Sequence, residues 1–209
     1  MTGRAAATAA LLVCAGCLSS SVEPPKTWTV SPTDAKPSAA PGAFSVTRQG
    51  AVTVTAPFDS TSFIVRRADG SVARDPYNVF ASPPSALLRA AVRARLEADG
   101  RFGRVVPQSS SASADVQVEV LVRDLSLDCR DAERRTSRAA VSIDVLRTGR
   151  GARTVILCGD GDGTGDAKGG DYSKSFSQAF DAALENALRN LKEQPPPQPL
   201  EPKPKGEQK

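Results

Sequence analysis

Over 209 residues, 27 Lys and Arg stand against 23 Asp and Glu, and the basic residues are scattered without interleaved aromatics, which argues against a nucleic-acid partner. The chain has no histidine, so the Ser-His and Cys-His nucleophile pairs and the usual imidazole metal ligands are ruled out. The length suits one domain with a real core.

At the N-terminus, Arg4 precedes an apolar run from Ala5 to Val13. Spanning a bilayer takes about twenty apolar residues, so this run is too short for that but suits the apolar region of an export signal. The stretch Leu11-Leu12-Val13-Cys14-Ala15-Gly16-Cys17 resembles a bacterial lipobox, with the small pair Ala15-Gly16 before the cysteine. Cys14 stands where lipoboxes usually carry Leu. Residues 1–16 are read as a lipoprotein signal peptide and Cys17 as the acylated N-terminus, which tethers the protein to a membrane without spanning it. The alternative is an ordinary signal peptide cut nearby, with Cys17 a spare thiol.

Residues 17–42 are rich in Ser, Thr, Pro and Ala with little apolar periodicity, and read as a lipid-anchored disordered linker. Trp28 within it reads as a stray exposed aromatic. Residues 43–194 form the folded unit. Val52 and Val54 alternate with threonines as a strand, and Phe63 to Arg67, Asp69-Gly70 and Ser71 to Ala73 read as a β-hairpin. After Pro83-Pro84, Leu87, Leu88, Ala91, Val92 and Leu96 take helical spacing, and Gly100 ends the helix. Arg104 to Val106 is a short strand.

Val116, Val118, Val120 and Val122 give the strongest β signal, and Leu125 and Leu127 continue it in opposite parity, which predicts a bulge near Arg123-Asp124. Ala139 to Val145 and Arg153 to Cys158 complete an antiparallel meander. A last helix, about residues 173–192, carries Phe176, Phe180, Leu184 and Leu188 on one row and Ala179, Ala183, Ala187 and Leu191 on the next. The expected fold is α/β (α+β), a two-layer sandwich of a mainly antiparallel sheet with two principal helices packed on one face. Residues 195–209 read as a disordered Pro/Lys-rich tail.

With Cys14 removed and Cys17 acylated, Cys129 and Cys158 remain in an oxidising compartment and are read as a disulfide. First and third strands of a meander lie about 10 Å apart, so this bond requires positions beyond the end of the middle strand or a different strand order. Asp160, Asp162, Thr164 and Asp171, with Gly165, match the spacing of an EF-hand calcium loop. Position 12 is Asp instead of Glu and the preceding element reads as a strand, so no metal or cofactor is assigned. Residues 160–171 are expected to be a flexible connection, with Asp171 or Ser173 capping the helix. Arg66-Arg67 and Arg134-Arg135 have the chemistry to bind anionic headgroups, although such pairs near turns are usually just solvated. Asp124, Asp128 and Asp131 cluster at a strand end in the manner of solvated turns, and no catalytic constellation emerges.

With this element order, the chain resembles the ABC-type transport auxiliary lipoproteins, which include the PqiC-like proteins. The resemblance rests on Cys17, the strand Phe63-Ile64-Val65-Arg66, the run Tyr77-Asn78-Val79-Phe80-Ala81-Ser82-Pro83-Pro84 before Leu87-Leu88, the valine strand to Leu127 and the alanine-rich last helix. The family often has Trp where Phe80 stands. The resemblance implies a non-catalytic periplasmic lipoprotein serving an MCE-type lipid transport system, with an MCE-domain protein and its ABC permease as partners. Homo-oligomer formation is left open. Leu18, where an inner-membrane retention signal carries Asp, points to the periplasmic side of the outer membrane, with the inner membrane as the alternative. A second reading is a lipoprotein activator of a peptidoglycan synthase, favoured by a linker whose contour limit is about 85 Å. A third is a role in lipopolysaccharide assembly or outer-membrane chaperoning.

Overall fold

The elements in chain order are β1 (Lys26–Trp28), β2 (Phe44–Val54), β3 (Ser62–Arg67), β4 (Val72–Phe80), α1 (Pro84–Ala98), β5 (Phe102–Val106), β6 (Val116–Cys129), β7 (Thr136–Thr148), β8 (Arg153–Asp166), α2 (Tyr172–Arg189) and β9 (Lys192–Glu193). The computed structural model describes residues 23–31, 36, 38, 42–131, 133–148 and 152–194. The signal segment, Cys17 and the C-terminal tail lie outside them.

The sheet is built around β6. One edge pairs antiparallel with β7, which pairs antiparallel with β8, giving the expected meander. The other edge is shared. β2 runs parallel to its first half, from Val116 to Val122, and β3 runs parallel to its end, from Leu127 to Cys129. Beyond β2 lies β5, and beyond β3 lie β4 and then β1. The sheet is therefore open and mainly antiparallel, with a fork at β6. The register of β6 on β7 shifts between Val122 and Asp124, at the expected bulge. The shift changes the parity, so Leu125 and Leu127 are buried with the preceding valines.

Both helices lie on this valine face. On α1, Leu88, Val92 and Leu96 are buried, Pro84 occupies the first turn, and the Asp99 N–H donates to the carbonyls of Arg95 and Leu96 at the end. Asp171 caps α2, its carboxylate accepting from the Lys174 N–H at 3.0 Å. Phe63, Phe80, Tyr172 and Phe176 meet in edge-on and tilted pairs with centroids 4.5 to 5.6 Å apart. These rings bridge the hairpin, α2 and the sheet into one core.

The segment expected to be a flexible connection after Cys158 is instead strand: β8 runs on to Asp166. Gly159, Gly161, Gly163 and Gly165 all face α2, where Ser175, Ala179, Ala183 and Ala187 form its closest row. A Cβ on Gly165, Gly163, Gly161 or Gly159 would collide with the carbonyl oxygen of Ser175, Ala179, Ala183 or Ala187, respectively. The match is geometric: four helical residues rise about 6 Å, and two strand residues advance about 6.7 Å. Each helical step of four thus meets the next glycine of an oppositely directed strand. The aspartates between the glycines point to solvent, spaced along one strand and not wrapped around a centre, so the calcium-loop spacing is a period-two strand.

α2 also supplies donors to the strand. β9 pairs with β8 only at Leu157 and Cys158. Farther on, Asn190 Nδ2 donates to the Asp160 carbonyl at 3.0 Å and Asn186 Nδ2 to the Asp162 carbonyl at 2.9 Å.

A side chain introduced between β8 and α2 has nowhere to go. Gly163→Val is expected to lower the urea midpoint by the equivalent of about 3 kcal/mol or more. Asp162→Ala, one residue away on the solvent side, should stay within about 0.5 kcal/mol of the parent.

Candidate interaction surfaces

The face of the sheet turned away from the helices carries a diagonal series of polar and ionic contacts. Arg153 Nη1 lies 3.3 Å from Glu119, and Gln117 Nε2 donates to the same oxygen at 2.7 Å. Asp160 accepts from Ser142 Oγ at 2.6 Å and pairs with Arg123 at 3.2 Å. Arg66 reaches Asp124 at 2.8 Å and Ser126 Oγ at 3.1 Å. Arg130 grips Asp128 at 2.6 and 2.9 Å, and Arg138 approaches the same carboxylate at 3.3 Å. Among these groups Leu121 is exposed at 38%. Of the acids read from sequence as solvated turn residues, Asp124 and Asp128 lie on this face, Asp128 buried beneath its arginines, whereas Asp131 is an exposed residue of the turn after β6.

Two carboxyls here are perturbed in opposite directions. Hydrogen bonding to the Arg130 side chain holds Asp128 far below the usual carboxylate range, against the opposing effect of its burial. Asp144, which faces Glu119 and Cys158 across the ladder, is pushed upward by partial loss of solvent and by the nearby carboxylates Glu119 and Asp160.

The segment before Gly42 departs from its expected linker character. Lys26, Thr27 and Trp28 pair in parallel with Asn78, Val79 and Phe80. Trp28 is half-buried, its ring edge-on to Tyr172 at 5.1 Å and its Nε1 donating to Asn78 Oδ1 at 3.0 Å. The Ala81 N–H donates to the Trp28 carbonyl at 2.7 Å, and Val30 is buried. The N–H groups of Thr29 and Ser31 donate to Ser173 and Ser177 on α2 at 3.2 and 3.0 Å. Ser38 bonds to the Glu97 carbonyl on α1. Trp28 is therefore a docking residue that seats residues 26–31 on β4 and α2.

The expected Cys129–Cys158 disulfide is corrected as well, since both cysteines are free. Cys158 does not end its strand. It lies opposite Asp144, which lies opposite Glu119, ten residues along β6 from Cys129. That offset is about 33 Å, far beyond the reach of a disulfide. Burial pushes the Cys129 thiol upward, and Gln194 Nε2 approaches the Cys158 sulfur at 2.7 Å.

Among the described residues no group of three or more His, Cys, Asp or Glu could hold a metal ion. No helix among them is long and apolar enough to cross a membrane. The buried Ser175 hydroxyl donates to Gly165 O and contacts Ser137 Oγ at 2.7 Å, joining α2 to β7 and β8. The developed features of this domain are thus a polar sheet face, strand edges and a docked N-terminal segment.

That architecture is a mixed α/β domain with an open, mainly antiparallel sheet. The ABC-type transport auxiliary lipoprotein component profile matches residues 28–168, and the chain belongs to that family. Among curated proteins none matches the sequence. A crystal structure of the DUF330-family protein XCC0632 from Xanthomonas campestris superposes with a TM-score of 0.53 at 18% identity, covering 78% of this chain and 87% of the other. A second structure, of an uncharacterized protein, gives 0.50 at 13% identity over 74% and 88% of the two chains. The hypothetical protein CT253 from Chlamydia trachomatis gives 0.45 at 13% identity over 69% and 91%. At these identities the first two show a shared fold.

Two measurements follow. Because the folded state depresses the Asp128 pKa, its stabilisation is fully present above the unfolded value near 4 and is lost as pH falls toward the folded value. Asp128→Asn is expected to cost about 1–2 kcal/mol at pH 7, with the gap from the parent closing below about pH 4 in denaturant titrations. Maleimide labelling of the unfolded, unreduced chain should modify both Cys129 and Cys158.

Proposed function

We propose that this protein is a lipid-anchored, non-catalytic auxiliary component of an MCE/ABC-type lipid transport system. Cys17 carries the acyl anchor. The protein works on the periplasmic side of the outer membrane, with an MCE-domain protein and its permease complex as partners. The observation that carries this reading is the family match over residues 28–168, from the docking tryptophan to the end of the meander. The polar sheet face supports it. Its arginines and carboxylates are already paired and held by the strands, an arrangement suited to recognising a protein surface of complementary charge.

The competing activator of a peptidoglycan synthase drew its support from a long linker. With residues 26–31 seated on the domain, the stretch between Cys17 and Lys26 has a contour limit of about 30 Å. This favours a body held close to its membrane over one reaching through the cell wall.

The test is purification of the full-length protein from its own membranes in gentle detergent, followed by mass spectrometry. Recovery of an MCE-domain protein or its permease is expected, and Cys17→Ser should move the protein to the soluble fraction. Recovery of a penicillin-binding protein without MCE components would overturn the transport reading.

A further inference from the structure

The register of the strands brings distant segments to one end of the sheet. Arg67 pairs with Cys129 on β6, Asp128 with Thr136 on β7, and Thr136 with Asp166 on β8. The β3–β4 turn, the segment joining β6 to β7 and the segment joining β8 to α2 therefore share a pole. The opposite pole holds Thr148 paired with Arg153, twelve residues along β7 and about 40 Å away.

β1 fixes which pole the N-terminus leaves from. It runs parallel to β4 with Lys26 beside Asn78, so the chain before Lys26 heads back along β4 toward Val72 and the turn at Gly70. Nine residue steps, about 30 Å at full extension, separate Lys26 from Cys17. This is shorter than the distance between the poles, so acylation at Cys17 favours this pole toward the bilayer.

The surface at the pole suits that position. Of the three large hydrophobic residues exposed among the described residues, Val72 lies at this pole at 51%, and Tyr77, at 64%, lies in the β4 bulge beside Ser62 and Phe63, about 12 Å back from it. Both lie on β4, before its pairing with β1 begins at Asn78. Arg67, Arg74, Arg134 and Lys168 are exposed at the same end. Four of the carboxylates among them are turned onto backbone, and Glu133 is exposed beside Arg134. Asp69 accepts from the Ser71 N–H, Asp75 from Tyr77, Asp131 from Glu133 and Asp166 from Lys168, at 2.8 to 2.9 Å. The basic groups are exposed at the same end as Val72, with Tyr77 behind it. Tyrosine with arginine is the composition that sits at a bilayer interface, the ring among glycerol backbones and the guanidinium on phosphate.

We propose that this pole is a membrane-contact surface. Tyr77 and Val72 enter the interfacial layer, and Arg67, Arg74 and Arg134 contact anionic lipid headgroups. The proposal rests on Cys17 acylation. It adds an orientation to the anchor: the sheet stands on the bilayer by its hairpin end, with the Arg153 end directed away.

The test uses the full-length acylated chain, with Cys129→Ser and Cys158→Ser, reconstituted in vesicles of phosphatidylglycerol and phosphatidylethanolamine. Nitroxides are attached in turn at Val72→Cys, Tyr77→Cys and Arg153→Cys. Labels at Val72 and Tyr77 are expected to collide severalfold less often with an aqueous nickel chelate than the label at Arg153, and more often with oxygen. Combining Arg67→Glu, Arg74→Glu and Arg134→Glu should reopen both positions to nickel. Equal access at the two poles, or shielding at Arg153, overturns the proposal. Unchanged shielding in the charge-reversed chain overturns the arginines' part in it. Intact mass separates the two levels of failure. An unacylated chain overturns the anchoring reading, whereas an acylated chain with open labels at the hairpin pole overturns the orientation alone.

Discussion

The structure depends on the fit of one helix against a strand without side chains. On β8, alternate residues from Gly159 to Gly165 leave a groove only as deep as backbone, and the Ser/Ala row of α2 fills it. At this closeness the neighbouring row of α2 comes within reach of the rest of the core. Phe176 descends among the aromatic rings of the hairpin, and Phe180, Leu184 and Leu188 are buried on the same row. Had the strand carried ordinary side chains, α2 would stand several ångströms higher and these rings would lose their partners.

The fork at β6 is the second organising constraint. A strand of 14 residues is long enough to serve two neighbours on one edge, and β2 and β3 divide it. Because both join in parallel, each must be followed by a return connection. α1 lies on the return from β2 to β5 and β6, and the β3–β4 hairpin supplies the edge on which β1 docks. The polar sheet face is the other side of this arrangement: all apolar cover is committed to one face, so the second face of β6 to β8 is free to carry paired charge.

Where a segment's own pattern determined its structure, the sequence was sufficient. The valine alternation, its parity change at Arg123-Asp124, the Asp-Gly hairpin and both helices could be read locally. Two segments could not, because their structure is imposed from a distance. Asp160 to Asp166 has the composition of a loop and becomes strand only because α2 needs its bare backbone; the alternation of Asp and Gly at period two was the available signal. Residues 26–31 have little apolar pattern, and their order comes from one tryptophan seated between Asn78 and Tyr172. The disulfide expectation failed through the first of these, since ending β8 at Cys158 placed both cysteines at one edge. The grouping of Arg67 with Arg134 could not be seen either, as it requires knowing that β3 pairs in parallel with the end of β6.

The direction of β9 gives the molecule a vertical sense. Lys192 and Glu193 run antiparallel to Cys158 and Leu157, and the Gln194 N–H bonds to the Ile156 carbonyl, so the chain is heading toward the Arg153 pole when the described residues end. The two termini therefore leave the sheet in opposing directions. On the proposed anchoring, the 15 residues after Gln194, with their prolines and lysines, begin on the upper side of the domain. Their contour limit is about 50 Å, longer than the sheet itself.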